Sequence, residues 1–118
     1  MSQVSLIVKL VAADGKRADL ATAFSAAYEH VAKEDGTRYY LLHEDMGDAN
    51  VLWIYEMYES ADAQAAHGAA DWFKPFQKSL APFIGGPAEF HGLKPIGGKR
   101  SEEHTSELQS RETISYAV

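Results

Sequence analysis

The segment that most restricts this chain is Val51–Tyr58, VLWIYEMY, in which Glu56 is the one residue that is neither apolar nor aromatic. In an extended strand successive side chains point to opposite sides, so Val51, Trp53, Tyr55 and Met57 share one face and Leu52, Ile54, Glu56 and Tyr58 the other. Neither is a simple solvent face. Whatever fold is built around this strand has to find cover for both.

The remaining pattern supplies it. Val4–Val11 is apolar at nearly every position and predicts a central strand covered on both faces. Ala12-Ala13-Asp14-Gly15 breaks it. Over residues 16–33, Leu20, Phe24, Ala27, Tyr28 and Val31 recur at the spacing of a helix packed on one side. Glu34-Asp35-Gly36 ends that helix, with Gly36 suited to the left-handed conformation of a helix C-terminus. Thr37–Glu44 predicts a second strand, and residues 45–50, with the composition of a turn, join it to Val51–Tyr58 as an antiparallel hairpin. Ser60 is an N-cap candidate with Asp62 in the first turn, opening a short helix through His67; Gly68 allows a bend before Trp72, Phe73, Phe76 and Leu80 resume helical spacing. Pro75 suits the first turn of that second piece, Pro82 and Gly85-Gly86-Pro87 end it, and residues 88–94 form the last strand.

The order β-α-β-β-α-β is the split βαβ plan of an α+β, ferredoxin-like domain: a four-stranded antiparallel sheet with two helices on one face. The other face then stays open, and with Trp53, Tyr55 and Met57 available for it, more apolar area would be bare than a soluble monomer exposes. The expected solution is a homodimer whose sheets face each other.

Composition narrows the function classes. A chain of 118 residues holds one core. The absence of cysteine excludes a disulfide scaffold, a thiolate metal site and a cysteine nucleophile. Eleven basic against seventeen acidic residues, a net charge of −6, argue against nucleic acid as a partner. The start of the chain lacks a basic region before its short apolar run, and no segment approaches the roughly 20 apolar residues that cross a bilayer. The expectation is a cytoplasmic protein with no membrane partner.

Residues 100–118 differ from the rest, being polar, rich in Ser, Thr and Glu, and without apolar periodicity. Arg-Ser-Glu-Glu-His-Thr-Ser-Glu-Leu-Gln-Ser, residues 100–110, is what a widely used short-read sequencing adapter encodes in one frame, and Ile-Ser-Tyr-Ala-Val, residues 114–118, fits the adapter's next constant block in that frame. The expectation is a domain over residues 1–99 followed by a disordered, non-native tail of adapter read-through, which removes His104 from consideration. Without the tail's two basic and four acidic residues the balance is nine against thirteen, still acidic.

Motifs for nucleotide cofactors, zinc proteolysis and the hydrolase elbow are missing, and His30, His43, His67 and His91 show no i, i+4 pairing, so no metal site is expected. What stands out is the group Tyr40, Glu56, Tyr58, His67, Trp72, Phe73 and Phe76 in the hairpin and the following helix. Two readings are open for Glu56: a carboxylate in a low-polarity cleft, where its pKa rises and proton transfer is favoured, or an edge residue paired with Arg38 or a lysine. His67 is either a proton shuttle pointing into a cleft or a helix-terminal histidine on free carbonyls. Trp72, Phe73 and Phe76 are of a kind that is more often core than substrate platform, and one or two of them can line a pocket for a flat aromatic ligand.

The run Leu52-Trp53-Ile54-Tyr55-Glu56-Met57-Tyr58-Glu59-Ser60, followed by His67 and Trp72-Phe73, resembles the antibiotic biosynthesis monooxygenase family, especially its candidate quinol monooxygenases. With the strand start at Gly36 and the Gly86-Pro87 lead into the last strand, the resemblance covers residues 4–96. It implies a dimeric α/β barrel of ferredoxin-like protomers and, in oxidising members, attack of O2 on an electron-rich quinol or polycyclic phenol with no metal, flavin or haem. By the same resemblance His67 and Glu56 are the candidates for proton handling, Tyr40 and Tyr58 for orienting a substrate oxygen, and Trp72, Phe73 and Phe76 for the apolar wall. Two departures matter. Many relatives carry a second histidine where this chain has Trp72, and haem-degrading relatives use a first-strand asparagine where this chain has Ile7-Val8-Lys9. The leading expectation is a cofactor-independent oxygenase of a small quinol-like aromatic. Its competitors are an isomerase of a small hydroxy-ketone, using the same His and Glu, and a non-catalytic small-molecule-binding dimer.

Overall fold

The computed structural model describes residues 2–99; the expected read-through tail lies outside the described residues. Strand β1 (Val4–Val11) leads into α1 (Arg17–Phe24), a 3-10 turn (Ser25–Ala27) and α2 (Tyr28–Val31). The hairpin β2 (Thr37–Glu44) and β3 (Val51–Tyr58) follows, then α3 (Ala61–Ala69), α4 (Phe73–Leu80), a 3-10 turn (Ala81–Phe83) and β4 (Glu89–Leu93). The sheet is antiparallel throughout in the order β2-β3-β1-β4. This is the expected ferredoxin-like plan, with β3 and β1 inside it, as their doubly apolar patterns require.

Register sorts the side chains. Leu6, Val8 and Leu10 on β1 lie beside Glu56, Ile54 and Leu52 on β3, and Tyr40 and Leu42 on β2 lie beside Glu56 and Ile54. These residues face the helices. The core joins Val8, Leu10, Leu52 and Ile54 to Leu20, Phe24 and Ala27 of the first helical region and Phe76 and Leu80 of α4. Ile7, Tyr55 and Leu41 form a row across the opposite face, beside Lys9, Trp53 and His43. Leu41 and Leu93 on that face remain nearly half exposed.

Local expectations were met unevenly. Ser60 caps α3, its hydroxyl accepting from the Ala63 amide at 3.1 Å. Pro75 stands in the first turn of α4, where its missing N–H costs no helix bond. The first helical region is not continuous: at residues 25–27 it tightens into a 3-10 turn. The second does not bend at Gly68 either. Helix α3 runs through that glycine, and the chain turns at Ala70, which is extended with ψ 144°.

Gly36 is needed for a different reason than a left-handed cap, since among the described residues only Gly15 and Gly98 have positive φ. A Cβ at position 36 would stand 2.5 Å from the Ala63 Cβ. The start of β2 therefore runs hard against α3, fastened by the Glu59 amide donating to the Gly36 carbonyl at 2.9 Å. At the far end of the hairpin, Arg17 Nη1 donates to the carbonyls of Asp45 and Asp48 at 3.0 and 2.9 Å, tying the turn to α1.

Candidate active site

The tight approach at Gly36 sets the site. Ala63 and His67 are four residues apart on α3 and share one face of it. The loop at residues 34–36 runs along that face, so while Gly36 meets Ala63, Glu34 meets His67. The Glu34 carboxylate gathers three donors. Oε1 takes His67 Nδ1 at 2.9 Å and the Thr37 hydroxyl at 2.8 Å; Oε2 takes Trp72 Nε1 at 3.0 Å. Burial pushes the Glu34 pKa up, but the hydrogen bonds from His67, Thr37 and Trp72 and the charge of His67 outweigh it, and the net shift is downward. An ionised Glu34 needs a proton on Nδ1, which leaves the lone pair of the neutral imidazole on Nε2. Among the described residues Nε2 has no hydrogen-bond partner.

His67 is only 6% exposed, so it is not a helix-terminal histidine on solvent-facing carbonyls. Rings enclose it: Phe73, Tyr40, Tyr58 and Trp72 have centroids 5.0, 5.2, 5.4 and 5.4 Å from its own. Trp72 is held on two sides, by its bond to Glu34 and by the His30 ring stacked on it at 4.7 Å.

Glu56 takes the buried one of its two readings. It is 6% exposed and faces the helices between Leu6 and Tyr40, while Arg38 pairs with Glu59 at 3.0 Å instead. Burial raises the Glu56 pKa, against the hydrogen bond from Tyr58 and the charge of His67, which act in the opposite sense. Tyr58, fully buried, donates its hydroxyl to Glu56 Oε1 at 2.5 Å. Burial and the neighbouring Glu56 charge push the Tyr58 and Tyr40 hydroxyls far above the ordinary tyrosine range, so both stay protonated as donors.

The residues singled out in the sequence therefore divide. Tyr40, Tyr58, His67, Trp72 and Phe73 come together, and Glu56 joins them through Tyr58. His67 and Glu56 are not bonded to each other; each has its own partner, Glu34 and Tyr58. Phe76 is core, edge-on to Phe24 at 5.3 Å, and meets the cluster only from behind through Trp72 and Phe73. Glu34 was missed. It reads as part of a helix-ending turn, and its partners His67 and Trp72 lie 33 and 38 residues further on. Among the described residues no three His, Asp or Glu side chains converge as a metal would need.

Two clefts open beside the cluster. One of about 240 Å3 lies between α2 and β2, bounded by Tyr28, Ala32, Thr37 and Tyr40. The other, about 280 Å3, is bounded by Ala26, His30, Trp72 and Phe76. Chemically the arrangement offers an oriented imidazole, a buried carboxyl of raised pKa and two tyrosine donors in aromatic surroundings. That set can remove and return protons on a flat guest.

No curated protein matches the sequence. The structure is similar to that of a candidate antibiotic biosynthesis monooxygenase from Caulobacter crescentus CB15, with 25% identity over 81% of this chain and 92% of that one and a TM-score of 0.77. A second candidate antibiotic biosynthesis monooxygenase, from Chloroflexus aurantiacus, is 25% identical over 84% of this chain and 98% of its own, with a TM-score of 0.70. Rv0793 from Mycobacterium tuberculosis, 23% identical over 84% of this chain and 100% of its own, shares the fold at a TM-score of 0.75. Residues 3–79, which carry both the Glu34–His67 pair and the Glu56–Tyr58 pair, match the sequence profile of one family, and the chain belongs to it: the antibiotic biosynthesis monooxygenases.

Proposed function

We propose that this chain is a cofactor-independent monooxygenase that oxidises a small quinol or a related electron-rich aromatic with O2. The observation that carries the reading is the state of His67: buried, held by Glu34 through Nδ1, and with Nε2 unpartnered among the described residues inside a ring of aromatic side chains. A base so held is oriented before substrate arrives, and general acid–base assistance of this kind contributes about 10²–10⁴ in rate.

The chemistry balances without an outside reductant. His67 Nε2 takes a phenolic proton; the electron-rich phenolate passes one electron to O2, and the resulting pair joins at a ring carbon as a hydroperoxide. Loss of water from that hydroperoxide and the ring hydrogen gives a hydroxyquinone. A quinol and O2 thus become a hydroxyquinone and H2O, with one oxygen atom kept and the other released as water. Glu56 and Tyr58 return the proton that the departing water needs, Tyr40 and Tyr58 orient the substrate oxygen, and Trp72 and Phe73, with Phe76 behind them, keep the site dry.

The open sheet face supports a homodimer. Ile7, Leu41, Tyr55 and Leu93 share one side of the sheet, where Leu41 and Leu93 stay nearly half exposed although Met57 on the same side is buried, and a second copy covers that face by two-fold symmetry.

The test is O2 uptake with a panel of hydroquinones and dihydroxyanthracenones, repeated with 18O2. One labelled atom in the product, and loss of about 10²-fold or more in rate for His67→Gln, is the expected result. No uptake above the uncatalysed rate for the whole panel, with solvent deuterium entering a hydroxy-ketone instead, would replace the oxygenase by an isomerase.

A further inference from the structure

Which side of the aromatic cage a substrate uses is not given by His67 itself, but two of the four rings around it also border clefts: Trp72 on one flank and Tyr40 on the other. They are held very differently. Trp72 is bonded to Glu34 through Nε1 and lies face to face with His30 at an interplanar angle of 6°. To move it would break the carboxylate link that also orients His67. Tyr40 stacks on Phe24 at 5.6 Å, but its hydroxyl has no hydrogen-bond partner among the described residues. A cleft-lining hydroxyl with no protein partner can exchange water for a ligand's hydrogen bond. The carboxylates of Glu56 and Glu34 both bear on it, so it sits where the two carboxylate systems meet the cleft.

Resting on the oxygenase reading above, we propose that the cleft between α2 and β2 is the substrate entrance and outer binding site, that it takes a phenol, and that Tyr28 and Tyr40 are its two walls. Tyr28 is 43% exposed, so its ring presents a free aromatic surface opposite Tyr40. An aromatic guest between them meets two ring faces or edges and the Tyr40 hydroxyl. At about 240 Å3 the cleft has room for an aromatic guest.

The experiment plugs each cleft in turn. Ala32 lines the α2–β2 cleft and Ala26 the opposite one; both are exposed and in helical conformation, so a bulky side chain at either is compatible with the fold. Binding of 4-methoxyphenol, a single-ring phenol, is measured by calorimetry under argon, where no O2 can consume it, for Ala32→Trp and Ala26→Trp, with circular dichroism to check folding. Ala32→Trp is expected to weaken binding at least tenfold and Ala26→Trp to leave it within twofold. The reverse ranking, equal effects, or no binding of the phenol by the unmodified protein would overturn the proposal. Turnover of a three-ring quinol that is indifferent to Ala32→Trp would refute this site while leaving the oxygenase standing; Ala32→Trp-sensitive phenol binding without any O2 uptake would do the opposite.

Discussion

Replacing Glu34 by Gln tests whether one carboxylate organises the site. Glutamine has a single acceptor oxygen and an NH2 that can only donate, whereas Glu34 serves His67 and Thr37 with one oxygen and Trp72 with the other. With its oxygen toward His67 and Thr37 the amide sets its NH2 against the Trp72 N–H, at about 1–3 kcal/mol for an unsatisfied group; turned over, it spares Trp72 only by moving the His67 proton to Nε2. The bonds that remain also lose their charge assistance, roughly half their strength. Together these place Glu34→Gln about 2–4 kcal/mol below the unmodified protein near neutral pH, a fall in Tm of about 10 °C or more for a domain of this size. The sign of the pH dependence is fixed by the downward shift at Glu34. A depressed carboxyl pKa gives stability that is full above the ordinary value of 4.5 and is lost as pH falls through the folded-state value. The gap between the two proteins in urea unfolding is therefore wide at about pH 7 and narrows in acid. Using the difference removes the contribution of Glu56, common to both. Equal stability at neutral pH, or a gap that does not narrow in acid, would refute the carboxylate's organising role.

Glu56 has the opposite shift, so ionising it in the folded state costs stability as pH rises through its raised pKa. Glu56→Gln, which can still accept from Tyr58, is expected to match or exceed the unmodified protein in Tm at mildly alkaline pH while slowing O2 uptake; a marked fall in Tm there would contradict the buried-charge account. Gly36→Ala puts a methyl group into Ala63 and is expected to cost about 1–3 kcal/mol in urea unfolding. Ala63→Gly in the same chain should return part of that loss, less about 1 kcal/mol for glycine in a helix, and failure to rescue would show that the contact is not the cause. On the open sheet face, Leu41→Lys with Leu93→Lys should shift light-scattering mass from dimer to monomer, and an unchanged mass would remove that face as the interface.

How far these arguments reach from sequence alone depends on how local each signal is. The apolar character of both faces of Val4–Val11 and Val51–Tyr58 made them the inner strands, and hairpin composition joined β2 to β3, because each is a property of neighbouring residues. Ser60 was legible for the same reason. The break after α3 was displaced from Gly68 to Ala70, since glycine permits a bend but does not compel one. Gly36 reads as a residue suited to a left-handed cap, because a glycine needed for close approach looks in sequence like one that closes a helix. Glu34 was invisible: nothing near it in the chain distinguishes a carboxylate that binds His67 from one that ends a helix in solvent. The clue that would have found it is geometric, namely that the loop entering β2 must pass α3 wherever Gly36 touches Ala63, one turn before His67.

The carboxylate of Glu34 precedes the hairpin turn at residues 45–50, and both of its ring partners follow it. Neither half of a polypeptide cut in that turn would own the complete Glu34–His67–Trp72 group. Two such fragments would recover it only by docking, so turnover would serve as a direct gauge of their reassembly, silent in each piece and switched on by correct pairing.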